Sequence, residues 1–300
     1  MSASVGEAAF ALTLSAAVIR ISVPYVLAAL GGFWSERAGV INIALEGLLL
    51  MGAFAATVGA WFGHSALIGV TTGVLGGMIL AGLYAWLTLV LRADQVVCGI
   101  AINLLADGGT RFFMKVLFDS SSNSPRVDAF DSLSRGGVAI HPIVLATILL
   151  VAVSTLVVYR TPFGLRLRAV GEHPEAAASL GISVSRIRLA GLLLSGALAG
   201  LGGVWLAADQ RQFVAGMSNG RGYIALAALI LGRWRPQTAA LAALGFGAAE
   251  ALQIALQTSG RSFERFGFAL QALPYVLTLV ALAGLVGRSI PPKALGRNEN

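Results

Sequence analysis

Charge is what this chain has little of. Only 12% of its 300 residues are Asp, Glu, Lys or Arg, about half the share of a soluble domain. Hydrophobic residues make up 57%, and the mean hydropathy is +0.81. That balance excludes a water-soluble enzyme and implies a polytopic membrane protein. Lysine is nearly missing: Lys115 and Lys293 are the two present and neither follows a glycine, so no Walker A loop can form. Any energy for work must come from another subunit. The lone cysteine, Cys98, excludes an intrachain disulfide and a cysteine-cluster metal site. His64, His141 and His173 lack metal-ligand spacing, so neither a metal nor a cofactor is expected. No basic run is interleaved with aromatic residues, which argues against a nucleic-acid partner. The first residues have no basic n-region and carry Glu7, so no removable signal peptide is expected.

What the chain does have is long apolar runs. They recur at about residues 8–31, 39–62, 66–91, 95–118, 142–159, 189–208, 216–232, 237–257 and 268–286. Residues 1–300 therefore read as one all-α transmembrane domain, a bundle of about eight to ten spanning helices. The first run is open to two readings, because Arg20 lies in its middle and Pro24 follows. It is either one crossing or an interfacial helix up to Arg20 followed by a separate spanning piece. The second arrangement would let Arg20 snorkel and leave the N-terminus on the cytoplasmic side.

Loop charge sets the orientation. Between residues 160 and 188 five arginines oppose Glu172 and Glu175, a net charge of +3, which places this stretch in the cytoplasm. The Ser-rich loop at 119–141 carries a net −1 and belongs outside. Within the basic stretch, Pro174 can open a short helix, Glu175 suits the positive end of its dipole, and Ala176 and Ala177 propagate it. Gly181 then ends it. Two turns of helix are marginal in water, so a partner surface should hold them.

Polar residues inside the apolar runs are the candidates for a solute path, since each is costly in lipid. Asn42 and Glu46 are four apart and would share a face of a helix, with Gly39 and Gly47 bracketing a place where that helix could break. Asn103 and Asp107 repeat the spacing, although Asp107 with Arg111 also fits a plain i,i+4 ion pair. Glu250 and Gln253 begin a third stripe. Glu36 and Arg37 read as a loop pair that sets topology. The run Gly216–Pro236 has three glycines in seven residues and then a very short apolar stretch, the pattern of a half-helix or re-entrant element. Its Gly216-Met-Ser-Asn-Gly220 spells G-x-S-x-G, but a nucleophile elbow needs a strand and a soluble sheet around it, so no catalysis is assigned. Glycines at small-xxx-small spacing, Gly69, Gly73 and Gly77 in one run and Gly196, Gly200 and Gly203 in another, predict close helix packing.

The stretch Glu175-Ala-Ala-x-x-x-Gly181 resembles the opening of the EAA loop, by which permease subunits of bacterial ABC importers engage their ATPases, though it lacks the Ile-x-Leu-Pro ending. Glu36-Arg-Ala-Gly-Val-Ile-Asn-Ile-Ala-Leu-Glu-Gly47, Asp94-Gln-Val-Val-Cys-Gly-Ile-Ala-Ile-Asn103 and Gly220–Pro236 extend the likeness over nearly the whole chain. Together they resemble permeases of the nucleoside and simple-sugar branch of these importers, within the branched-chain amino acid and ribose type superfamily. The resemblance implies a multi-pass subunit of the bacterial cytoplasmic (inner) membrane. It implies ATP-binding subunits docked on Glu172, Pro174, Glu175, Ala176, Ala177 and Gly181, a second and different permease chain, and an extracytoplasmic solute-binding protein. Lipid is the remaining contact. Sugar permeases tend to have Asp where this chain has Asn42, and the Gly232-Arg-Trp-Arg-Pro236 turn favours nucleosides or nucleobases. A sugar or branched-chain amino acid as solute stays open, and so does an ion-coupled secondary transporter, which would have no use for the docking loop.

Overall fold

A computed structural model describes residues 2–130, 141–258, 276, 279 and 289–297, with side chains from residue 13 onward. Ten α-helices follow one another among the described residues: α1 Ser2–Arg37, α2 Leu45–Gly63, α3 Ala66–Ala85, α4 Gln95–Phe118, α5 Pro142–Arg160, α6 Pro162–Glu172, α7 Pro174–Ser179, α8 Val184–Gln210, α9 Arg221–Leu231 and α10 Pro236–Thr258. Seven of them, α1 to α5, α8 and α10, are long and apolar enough to cross a membrane. The expected span at 268–286 lies outside the described residues, 276 and 279 apart. The run at 216–232 is not a span. Only the 11 residues of α9 are helical there, about 17 Å of helix against a hydrocarbon core of about 30 Å.

The bundle is built around α8. It packs on α1, α2 and α3, and 67% of its apolar window is buried against 28% for α5. Glycine makes the contact tight. A Cβ on Gly77 of α3 would lie 2.3 Å from the Gly196 carbonyl of α8, and one on Gly52 of α2 would lie 2.5 Å from Gly200. The small-residue spacing thus serves backbone-to-backbone packing of α2, α3 and α8. Large apolar side chains on α4 and α5, among them Leu104, Phe112, Ile148 and Leu156, face outward.

The first helix departs from one of its two expected readings. It does not divide at Arg20 but runs unbroken past Pro24. Two contacts from α8 explain why. Pro24 has no N–H for the carbonyl of Arg20, and the Trp205 indole donates to that carbonyl instead, at 2.9 Å. Arg20 Nε lies 3.4 Å from Asp209 at the far end of α8. Arg37 at the other end of α1 pairs with Glu172, 3.1 Å away in the basic stretch. The start of α1 therefore lies at the end of the bundle opposite residues 160–188, and the divided arrangement does not arise.

The acidic loop lies at that same far end. Its residues 122–127 are stapled to 211–215 by a bridge between Asn123 and Val214 and by Ala215 N to Ser122 O at 2.7 Å and Val127 N to Arg211 O at 2.8 Å.

Candidate functional site

Two stretches of non-helical backbone enter the bundle from opposite ends. The first, between α1 and α2, leaves the basic end. Gly39 has φ +93, and Asn42 reaches Ser195, its Nδ2 donating to Ser195 Oγ at 2.8 Å. Ser195 is about three turns into α8, so this backbone runs inside the bundle, where every polar group needs a protein partner. Neighbours supply them. Ile41 N donates to Gln95 Oε1 at 2.8 Å, and the Tyr84 hydroxyl lies 2.5 Å from the Ile41 carbonyl and 3.0 Å from that of Gln95. Asn103 closes the set: its Nδ2 donates to Ile43 O at 2.9 Å and to the Tyr223 hydroxyl at 3.0 Å, while its Oδ1 accepts from Gly47 N at 2.8 Å.

The second stretch runs from the far end between α8 and α9 and finishes at Gly220, φ +79. The first turn of α9 then meets the first turn of α2. Glu46 Oε1 accepts from Gly220 N and Oε2 from Gly222 N, each at 2.7 Å. One carboxylate thus caps α9 while sitting in the first turn of α2, at the positive ends of two helix dipoles. Arg221, beside it, reaches Glu250 of α10 at 2.7 Å, and the Tyr25 hydroxyl of α1 donates to the other oxygen of Glu250 at 2.5 Å.

The sequence-expected path residues fare unequally in this geometry. Asn42 and Glu46 do not share a helix face, because residues 38–44 are unwound and α2 starts at Leu45. The break between the bracketing glycines is what forms. Asn42 is fully buried, and its Oδ1 has no hydrogen-bond partner among the described residues. Asn103 and Glu250 belong to the junction. Asp107 does not: it makes an exposed i,i+4 pair with Arg111 at 3.1 Å. Gln253 makes no hydrogen bond to these groups among the described residues.

Glu36 and Arg37, read as a loop pair, are the last turn of α1, and Glu36 is buried. Glu36 Oε2 accepts from the Trp234 indole at 2.6 Å, and Oε1 lies 3.5 Å from Asn42 N. Arg233 and Trp234 have φ +53 and +51, a left-handed backbone that costs about 1–2 kcal/mol per non-glycine residue. No local signal in the sequence gives this pairing: Gly-Arg-Trp-Arg-Pro ends a helix too short to span, but which carboxylate its tryptophan meets, 198 positions away, is set by packing.

At the basic end, α7 is as expected: Pro174 opens it, Glu175 is in its first turn and Gly181, φ +79, follows its end. Its own chain holds it, through a small core of Val170, Ala177 and Val184. Glu175, Ala176 and Gly181 are exposed, and Leu180 is 81% exposed. Glu172 faces inward to Arg37 instead.

Residues 14–286 match the family model described as branched-chain amino acid transport system / permease component. The guanosine ABC transporter permease protein NupQ of Bacillus subtilis is 36% identical over 299 residues, 93% of this chain and 94% of that protein. The nucleoside ABC transporter permease protein NupC of Lactococcus lactis is 35% identical over 297 residues, 92% of this chain and 93% of that protein. A solved chain from an ABC transporter assigned to the metal-chelate type, in an inward-facing conformation, has a similar fold, with a TM-score of 0.51 at 15% identity over 89% of this chain and 84% of that one. Discontinuous helices joined deep in a bundle of membrane-spanning helices, and similarity over nearly the full length, lead to one conclusion: the chain belongs to the branched-chain amino acid transport permease family and is a multi-pass permease subunit of an ABC transporter in the cytoplasmic membrane.

Proposed function

We propose that this permease forms the membrane path for nucleosides or nucleobases in an importer driven by separate ATP-binding subunits. The observation that carries the reading is the junction at Glu46, where the start of a span and the start of a half-helix, reached by unwound backbone from opposite ends, share one carboxylate. Such broken helices put backbone dipoles at the depth where a solute must pass. The unmet acceptor on Asn42 fits a protein that alternates between states: a buried oxygen without a partner costs about 1–3 kcal/mol, a cost that vanishes in a state where water or solute reaches it. Asn42, Glu46, Asn103 and Glu250 are the path residues that the geometry supports.

Residues 160–188 are the cytoplasmic coupling loop in this reading and 119–141 the extracytoplasmic loop. Exposed Glu175, Ala176 and Leu180 supply the surface on which an ATPase subunit docks. A second, different permease chain encloses the other side of the path, and an extracytoplasmic binding protein delivers the solute. The nucleoside assignment rests on the two relatives at 36% and 35% identity. Uptake of labelled guanosine by cells carrying and lacking the gene tests it. Unlabelled nucleosides should compete; competition by glucose or leucine alone would move the assignment to a sugar or a branched-chain amino acid. Uptake driven by an ion gradient without the ATPase subunits would point to a secondary transporter.

A further inference from the structure

We propose that the last turn of α1 transmits motion from the docking helices to the two broken segments, with Arg37 and Glu36 as its positioning residues; this rests on the docking role given above to α6 and α7. The two side chains are consecutive but hold different partners. Arg37 Nη1 lies 3.1 Å from Glu172 Oε1 at the end of α6. Behind it, the backbone of Gly171 is so close that a Cβ there would lie 2.1 Å from the Arg37 carbonyl. The ends of α1 and α6 therefore move together or not at all.

Glu36 points the other way. One oxygen holds the Trp234 indole, just past the C-terminus of α9, and the other faces the amide of Asn42, in the segment that leads into α2. A single carboxylate thus secures the basic ends of both broken elements, and their deep ends meet at Glu46. Rotation of this one turn shifts both at once.

Two features make the turn a switch instead of a strut. Arg233 and Trp234 are both held in left-handed backbone, a cost of the present arrangement that a second arrangement of the turn need not carry. Asn42 Oδ1 is buried without a partner among the described residues, a second cost of the present arrangement. Against them stands the buried Trp234–Glu36 bond. Opposed terms of this kind are what a two-state element needs if a remote partner is to tip it.

The test uses the assembled complex, with its ATPase subunits and binding protein, in proteoliposomes, and reads ATP hydrolysed per labelled guanosine imported. Arg37→Ala and Trp234→Phe should each raise that ratio about tenfold, an ordinary size for coupling between sites, while the ATPase subunits still copurify. Arg37→Lys and Glu36→Gln retain a cation for Glu172 and an acceptor for the indole, so each should lie closer to the native ratio than Arg37→Ala or Glu36→Ala. An unchanged ratio in assembled Arg37→Ala complex overturns the proposal, and that variant decides alone if Trp234→Phe does not assemble. Loss of the ATPase subunits from Arg37→Ala also overturns it, since Arg37 would then act in docking. The docking reading has its own arm: Leu180→Asp should strip the ATPase subunits from the complex, and retention with normal uptake defeats that reading independently of the Arg37 ratio.

Discussion

Gly222 and Glu46 approach so closely that a Cβ at position 222 would lie 2.4 Å from the backbone nitrogen of Glu46. No rotamer relieves that overlap, because both partners are backbone. Gly222→Ala should therefore separate the starts of α2 and α9, break both amide bonds to Glu46 and abolish uptake while the chain still inserts. Gly245, in the interior of α10, is the matched control: a Cβ there meets nothing within 4 Å among the described residues. Alanine at 245 should raise stability by about 0.5–1 kcal/mol through helix propensity alone. Thermal unfolding in nanodiscs, read beside uptake, checks both.

Glu46 accepts two amide hydrogens with two oxygens. Glutamine can keep one of those bonds but turns its NH2 toward the other amide, donor against donor. Glu46→Gln should cost about 1.5–3 kcal/mol, the usual worth of a hydrogen bond to a charged group. Glu46→Ala leaves both amides unmet and should cost more. Equal stability of Glu46→Gln and the native chain in urea or heat denaturation would show that the carboxylate does not carry the junction.

How far the sequence reached can be judged at these same residues. Seven of the nine expected spans, the basic and acidic ends and the short helix at Pro174 were legible because hydropathy and loop charge act locally. The half-helix at 221–231 was legible too, since three glycines and a run too short to cross leave few alternatives. Partners were not. That Glu46 would meet Gly220 and Gly222, 174 and 176 positions away, depends on how α2 and α9 pack, and no local pattern encodes it. Glu36 was misread for the same reason: beside Arg37, at the end of a hydrophobic run, a carboxylate looks solvated, and only Trp234 from a distant turn shows that it is buried.

Asn103 and Asp107 share a spacing with Asn42 and Glu46, yet the structure separates their weights. Asn103 uses one end of its amide on Ile43 of the unwound segment and the other on Gly47 in the first turn of α2. Asn103→Asp would set a carboxylate oxygen against the Ile43 carbonyl, and Asn103→Leu would leave buried backbone groups unmet. Each should cost about 1–3 kcal/mol and most of the uptake. Asp107→Asn removes an exposed i,i+4 pair and should cost at most about 0.5 kcal/mol. Stability losses of similar size at the two positions, measured in one chemical-denaturation series, would contradict this ordering.

Pro24 and Trp205 make a pair that can be tested without touching the junction. Proline leaves the Arg20 carbonyl without its helical donor, and the indole supplies one from α8. Trp205→Phe should thus destabilise the native chain by more than the loss of ring area, since the Arg20 carbonyl loses the indole donor. In a Pro24→Ala background the residue 24 amide can bond the same carbonyl, so Trp205→Phe should there cost about 1 kcal/mol less. A double-mutant cycle read by thermal unfolding isolates that difference. If the two costs are equal, the indole serves packing alone, and the continuity of α1 through Pro24 needs another cause.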